Sequence, residues 1–270
     1  MYWDCIYIVN LKRMKTRYDE VVERLYKIGI NSSNANIVRW EAVDGSIELP
    51  FCKQIYETED VDKKKELLDK MNNSLKKHNY VSKNIVKNFR PGEIGVYCSF
   101  MQIIRDAKDK KHENILILED DVFFVSNFLK RLEQFKDRKE DVIFLGTSHG
   151  YWNDKTKKEG KNNVNWQCPV KRIGNDLVDY PVGCLNEKEE LNNGFLGTFG
   201  YSVNKSGYDK ILKRAFPMRY AFDVYLGKLY HERQITTVFL KESLIYVTNI
   251  GEMSHTGSLQ IDGSKNKIRF

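Results

Sequence analysis

Ile115-Leu116-Ile117-Leu118 is a short, unbroken apolar run that stops abruptly on three consecutive carboxylates, Glu119-Asp120-Asp121. A strand apolar at every position is buried on both faces, which happens where helices cover a sheet from either side. Cys5-Ile6-Tyr7-Ile8-Val9 and Val142-Ile143-Phe144-Leu145 repeat the pattern. Between the first of these and a shorter strand at Ile37-Val38-Arg39-Trp40, the residues Val21, Val22, Leu25 and Ile28 fall at helical spacing. Gly29 stands where that helix stops, and Asp44-Gly45 marks a turn after the second strand. Strand, helix and strand in this order open an α/β sheet.

The remainder of the chain fits the same plan. Pro91-Gly92 punctuates it, and Ile94, Tyr97, Cys98, Met101 and Ile104 mark an inward-packing amphipathic helix. Apolar pattern resumes at Phe195 to Val203, followed by a helix near Tyr208 to Ala215 and strands near Thr236–Leu240 and Leu244–Thr248. Two polar stretches interrupt, at about 50–90 and 150–193. In the first, Leu67, Leu68, Met71 and Leu75 form one stripe among lysines, read as an amphipathic surface helix in a lid or insertion. The second is rich in Asn, Lys and Gly and reads as loop. The expectation is a single domain over 1–270 carrying two insertions.

Carboxylates packed after a buried strand repel one another and lose solvation, a cost that a ligand offsets. Open α/β sheets bind ligands outside the carboxyl ends of their strands, where this cluster sits. In an extended chain residues i and i+2 point the same way, so Glu119 and Asp121 share a face and Asp120 points elsewhere. Two convergent carboxylates suit a hard divalent cation, Mn2+ or Mg2+, bridged to a diphosphate. A solvated acidic turn is the alternative.

Composition narrows the classes. Hydrophobic residues at 41% and aromatics at 12% rule out a disordered chain, and no apolar run nears the ~18 residues that span a bilayer. The five cysteines form no CxxC pair and read as buried reduced thiols. Lys and Arg number 44 against 37 Asp and Glu, leaving +7. This suits anionic partners such as a diphosphate ligand or a membrane surface. No arginine-rich stripe with interleaved aromatics marks a nucleic-acid binder. The N-terminus lacks a basic start, a long apolar middle and a small-residue cleavage site, so the expected location is cytoplasmic, or peripheral on the inner face of a membrane.

The order IYIVNLKR…R, WEAVDG, PGEIG, ILILEDDVFF, DVIFLG, GTFGY and P…FD, from Ile6 to about Asp223, resembles glycosyltransferase family 25. That family includes bacterial lipooligosaccharide galactosyltransferases and collagen hydroxylysine galactosyltransferases. The resemblance implies an A-type glycosyltransferase fold: an open, mostly parallel sheet flanked by helices, with a Rossmann-like nucleotide-binding half. It implies a UDP-sugar donor and a metal held by an ExD form of the aspartate motif, Glu119 and Asp121, with Asp120 on the donor side. Asn10, Leu11, Arg13 and Arg17 match the first-strand motif at the nucleotide pocket's edge, Arg17 being either a phosphate contact or a helix-surface cation. Ala42, Val43, Asp44 and Gly45 match the motif that encloses the uridine. Glu93 matches the helix start, as a ligand for sugar hydroxyls or a complement to the helix N-terminus. Where the family has a serine-histidine pair, this chain has Ser99-Phe100, which puts a contact from this helix in doubt.

Thr198, within Gly197-Thr198-Phe199-Gly200-Tyr201, matches the segment beneath donor and acceptor, although a plain interior strand would look similar. Asp223 matches the late aspartate near the reacting sugar, as catalytic base or as helix N-cap. His255 falls where relatives carry Ser-Asp-Thr, as a third metal ligand or a surface histidine. Trp152 and Trp166 offer sugar-ring platforms unless they are buried. The implied reaction is inverting transfer of galactose, or else glucose, to a hydroxyl of a glycan, glycolipid or glycoprotein. An inactive sugar-binding relative and a nucleotidyltransferase stand as alternatives, the latter without its glycine-rich phosphate loop. A glycosidase would need two opposed carboxylates and no metal.

Overall fold

The continuous apolar runs become the centre of a mixed sheet in the computed structural model, which describes residues 2–46, 54–55, 58–84, 89–146, 171–172, 177–179, 197–240 and 243–247. Strand β1 (Cys5–Asn10) pairs in parallel with β2 (Ile37–Glu41) on one side and β3 (Asn114–Glu119) on the other. After β3 the chain forms β4 (Val122–Phe124), then β5 (Val142–Gly146), β6 (Lys171–Arg172), β7 (Leu177–Asp179), β8 (Gly200–Asn204), β9 (Thr237–Leu240) and β10 (Ile245–Val247). The sheet order is β2-β1-β3-β8-β5-β9-β7-β6, and β4 pairs with β10 in a separate two-stranded ribbon. Only β8 and β7 run against the direction of the other strands in the large sheet. Of the stretch expected to be loop, 150–193, the described residues form the edge strand β6 and its neighbour β7; the remainder, with Trp152 and Trp166, lies outside the described residues.

Successive residues of β1, β3 and β5 point to opposite faces, and both faces are covered. Tyr7, Ile115, Ile117 and Phe144 join a core with α3 (Pro91–Asp109), α5 (Lys205–Leu212) and α6 (Phe222–His231). Ile6, Ile8, Leu116, Leu118 and Ile143 face α1 (Lys15–Lys27) and the short α4 (Phe128–Leu132). Helix α1 ends as its sequence indicates: Gly29 takes φ +87°, its N–H donates to Tyr26, and the Ile30 N–H reaches back to Leu25.

The lysine-rich stretch contains α2 (Val61–Lys77), capped by Asp60, whose side chain accepts the Lys63 N–H at 2.9 Å. Its stripe does not lie over the surface as a lid. Leu67, Met71 and Leu75 are buried in the same core as α3, with Leu68 packed against it. The fully buried Asn72 exchanges amide bonds with the Phe89 backbone, accepting at 2.9 Å and donating at 3.1 Å. Tyr80 and Ser82 bond with Met218 just before α6. No helix among the described residues is long and apolar enough to cross a membrane. Cys5 and Cys98 are free thiols, and burial pushes the Cys5 thiol up to about 11.

Candidate active site

The register of β1, β2 and β3 brings Asn10, Glu41 and Glu119 to one edge of the sheet, at their carboxyl ends. Asn10 is buried there and acts as a hub. Its Nδ2 donates to Asp120 Oδ2 at 2.6 Å and to the Met14 carbonyl at 2.9 Å, while its Oδ1 accepts from Arg39 Nε at 2.9 Å. Arg39 also donates to the carbonyls of Leu11 and Lys12, so it fixes both the Asn10 amide and the turn that follows. Leu11 is buried beneath that turn. Arg39 was not singled out from the sequence, although an arginine inside an otherwise apolar strand signals a partner.

Arg17, in the first turn of α1, holds the acidic cluster: its guanidinium lies 2.7 Å from Asp120 Oδ1 and 2.9 Å from Asp121 Oδ2. The expectation that Asp120 points away from the pair is therefore corrected. Strand β3 ends at Glu119, and the chain turns through Asp120-Asp121, so the alternation of an extended strand stops one residue earlier than assumed. Arg24, seven residues along the same helix face, donates to the Val122 carbonyl at 3.1 Å and lies over the Phe123 ring. Together the two arginines fasten the turn between β3 and β4 to α1.

The turn after β2 is fastened to α3. The Ala42 N–H donates to the Asn10 carbonyl, and the Val43 N–H donates to Ser99 Oγ at 2.9 Å, which itself donates to the Gly95 carbonyl at 2.7 Å. Ser99 thus ties the turn after β2 to this helix. Phe100 itself is core, its ring 4.5 Å from that of Phe222. A Cβ on Gly45 would stand 1.8 Å from the Pro91 carbonyl oxygen, and one on Gly95 2.5 Å from that of Val43, so two backbones touch here. Arg13 pairs with Asp44, which also accepts the Ser46 N–H, tying the first and second motifs together. The Glu93 carboxylate accepts the Arg90 N–H at 2.8 Å and closes the first turn of α3, the helix-complementing geometry.

Asp223 enters from α6. It is the second residue of the helix and not its N-cap, which is Ala221. Its carboxylate accepts the Val224 N–H at 2.8 Å and the Gly197 N–H at 3.0 Å. Gly197, at φ +74°, leads through the buried Thr198 to Phe199, whose carbonyl accepts the Glu119 N–H at 3.0 Å. Thr198 therefore sits in the short bridge between the two acidic positions. His255 lies outside the described residues.

Burial raises the pKa of all four carboxyls. Glu119 is driven furthest up: burial acts first, then the charges of Asp121, Asp120 and Asp223, with Arg17 opposing them. Asp120 and Asp121 are restrained by Arg17, and Asp223 by its two backbone bonds. Asp121 Oδ1 is buried without a hydrogen-bond donor among the described residues. Arg17, with Arg24 also acting on Asp121, leaves these carboxylates a surplus of negative charge and an unpaired hard oxygen, which fits a divalent cation. No three His, Cys, Asp or Glu side chains among the described residues form a complete ligand cage, so further ligands would come from donor, water or residues outside that set.

An open, mostly parallel sheet flanked by helices, with carboxylates at the carboxyl end of a central strand, is the architecture expected from the resemblance to the A-type glycosyltransferases. The chain belongs to glycosyltransferase family 25: the model of "Glycosyltransferase family 25 (LPS biosynthesis protein)" matches residues 4–226. Procollagen lysyl hydroxylase and glycosyltransferase of Acanthamoeba polyphaga mimivirus is 28% identical over 136 residues, 48% of this chain and 13% of that protein. Human procollagen galactosyltransferase 2 is 31% identical over 153 residues, 54% of this chain and 21% of its own length. The chain thus matches less than a quarter of either relative. Mouse xyloside xylosyltransferase 1 aligns over 97% of this chain and 69% of its own, at 11% identity with a TM-score of 0.29, a likeness too slight to bear on the fold.

Proposed function

We propose that the chain transfers a hexose, galactose first and glucose next, from a UDP-sugar to a hydroxyl of a glycan, glycolipid or glycoprotein, with inversion and dependence on Mn2+ or Mg2+. The observation that carries this reading is the meeting of the Glu119–Asp121 cluster with Asp223 across the Gly197–Phe199 bridge. Family membership and the name of the human relative support a glycosyl donor, galactose in particular. Arg13, Asp44 and the Ala42–Gly45 turn form the nucleotide side, held by backbone contact with α3.

Asp223 is the base. A carboxylate has about four acceptor positions, and two backbone bonds leave room for an acceptor hydroxyl. Its raised pKa makes it a better proton acceptor than an exposed aspartate while it remains ionised. Taking the hydroxyl proton during attack on the anomeric carbon gives a single displacement and inversion. Asp121 and Glu119 would hold the cation, which supplies charge neutralisation to the departing diphosphate. Thr198 lines the floor between base and cluster. Cytoplasmic action at the inner face of a membrane belongs to the same proposal, supported by the net charge of +7.

The test is UDP release from a panel of UDP-sugars, with and without Mn2+, in the presence of collagen-peptide and glycolipid acceptors. Release from UDP-galactose that requires both metal and acceptor is the expected result. Folded protein that turns over no donor under any of these conditions would refute the reading.

A further inference from the structure

Arg17 already pairs with Asp121, a carboxylate that a cation would need. It reaches Asp120 Oδ1 at 2.7 Å and Asp121 Oδ2 at 2.9 Å, whereas Asp121 Oδ1, buried, has no donor among the described residues. The other contacts of the cluster are fixed: Asp120 Oδ2 is held by Asn10, itself locked by Arg39, and the Glu119 backbone is in the sheet. Arg17 alone is attached through a long, jointed side chain, 28% exposed, projecting from the first turn of a helix. A guanidinium in that position neutralises the cluster without completing it.

We propose that Arg17 is an exchangeable internal counter-cation. It keeps Asp120 and Asp121 assembled while the donor is absent, then gives up Asp121 to the divalent cation and becomes available to the donor's diphosphate. The inference rests on the metal-dependent reading above and adds a competition that this reading does not require. A static phosphate-binding arginine would pre-shape the carboxylates, and its loss would weaken cation binding. A competing arginine does the opposite. Removing a positive charge within ion-pair distance of the same carboxylate relieves both repulsion and occupancy.

The experiment is Mn2+ binding by isothermal titration to the full chain without nucleotide, comparing the unsubstituted protein, Arg17→Gln and Arg17→Lys. The glutamine variant is expected to bind Mn2+ about tenfold tighter, and the lysine variant to lie between, because an ammonium cannot pair with both carboxylates as a planar guanidinium does. UDP affinity in saturating Mn2+ is expected to fall in Arg17→Gln, since the diphosphate loses its arginine. Circular dichroism verifies that each variant is folded, and the lysine variant carries the test if glutamine unfolds the chain. Unchanged or weaker Mn2+ binding in folded variants overturns the exchange alone, leaving the metal-dependent reading standing. Absence of Mn2+ binding to the unsubstituted chain, with or without UDP, overturns both.

Discussion

Arg39 shows how much of this site depends on a residue that does not itself bond to the acidic cluster. It orients the buried Asn10 amide, and Asn10 in turn presents its NH2 to Asp120. Replacing Arg39 with Met leaves Asn10 Oδ1 buried without its donor, a loss of about 1–3 kcal/mol. Urea denaturation should show it as a lower midpoint, with Arg39→Lys less affected because one donor survives. A midpoint unchanged in Arg39→Met would mean that the amide is held by its other bonds. At Asp121, substitution by Ala removes the oxygen left unpaired in the cluster. Metal-dependent transfer should then drop at least about a hundredfold, because several kcal/mol of charge stabilisation are lost. Full metal-dependent turnover in that variant would refute the ligand assignment.

Among the elements, α3 does more than fill the core. Its first turn, opened by Pro91 and closed by Glu93, is the surface on which the Ala42–Gly45 turn rests backbone to backbone. Gly45 is required there by space: any Cβ overlaps the Pro91 carbonyl, so the turn or the helix start must move. Gly45→Ala is expected to cost about 1–3 kcal/mol through overpacking and to weaken UDP binding by lifting the nucleotide side of the cleft. Titration with UDP reads the second effect, and native affinity in a folded variant would show that this turn does not contact the nucleotide. Helix α2 has a parallel lesson. Its charged sequence suggests a surface insertion, but Leu67, Met71 and Leu75 are core, so removing the 61–77 segment should unfold the chain instead of opening a lid.

For the molecule as a whole, the gathered carboxyls make stability depend on pH with a definite sign. Their folded-state pKa values are raised, Glu119 most, by burial first and by mutual repulsion second. A raised carboxyl binds its proton more tightly when folded, so the protein is most stable below the ordinary carboxylate range of about 4 with respect to these groups. That contribution is lost as pH rises from there through the raised values. Asp141 runs the other way: although burial alone would raise it, bonds from Lys210, Ser206 and Thr236 bring it below its ordinary value, so its contribution is lost as pH falls. Glu119→Gln, which mimics the neutral carboxyl, should flatten the decline of melting temperature as pH rises above the ordinary carboxylate range, in the presence of chelator. The variant should also be the more stable at the alkaline end. An identical slope in both proteins would place the pH dependence elsewhere.

What the sequence by itself determined was local. Short unbroken apolar runs bounded by turn signals indicate strands buried on both faces, helical spacing marks α1 to α3, and a carboxylate run after such a strand falls at the sheet's ligand-binding edge. Motif order was sufficient to indicate family 25, since order along a chain is a one-dimensional property. Tertiary structure decided the partners. Asn10 meets Asp120 across 110 residues, and Asp223 meets Gly197 across 26, because strand order and helix docking bring them together. The same packing set Asp120 beside Asp121 under Arg17, brought Arg39 into the site and drew α2 into the core. Periodicity fixes which face of an element is buried; only the packing of the sheet fixes which buried charge finds which.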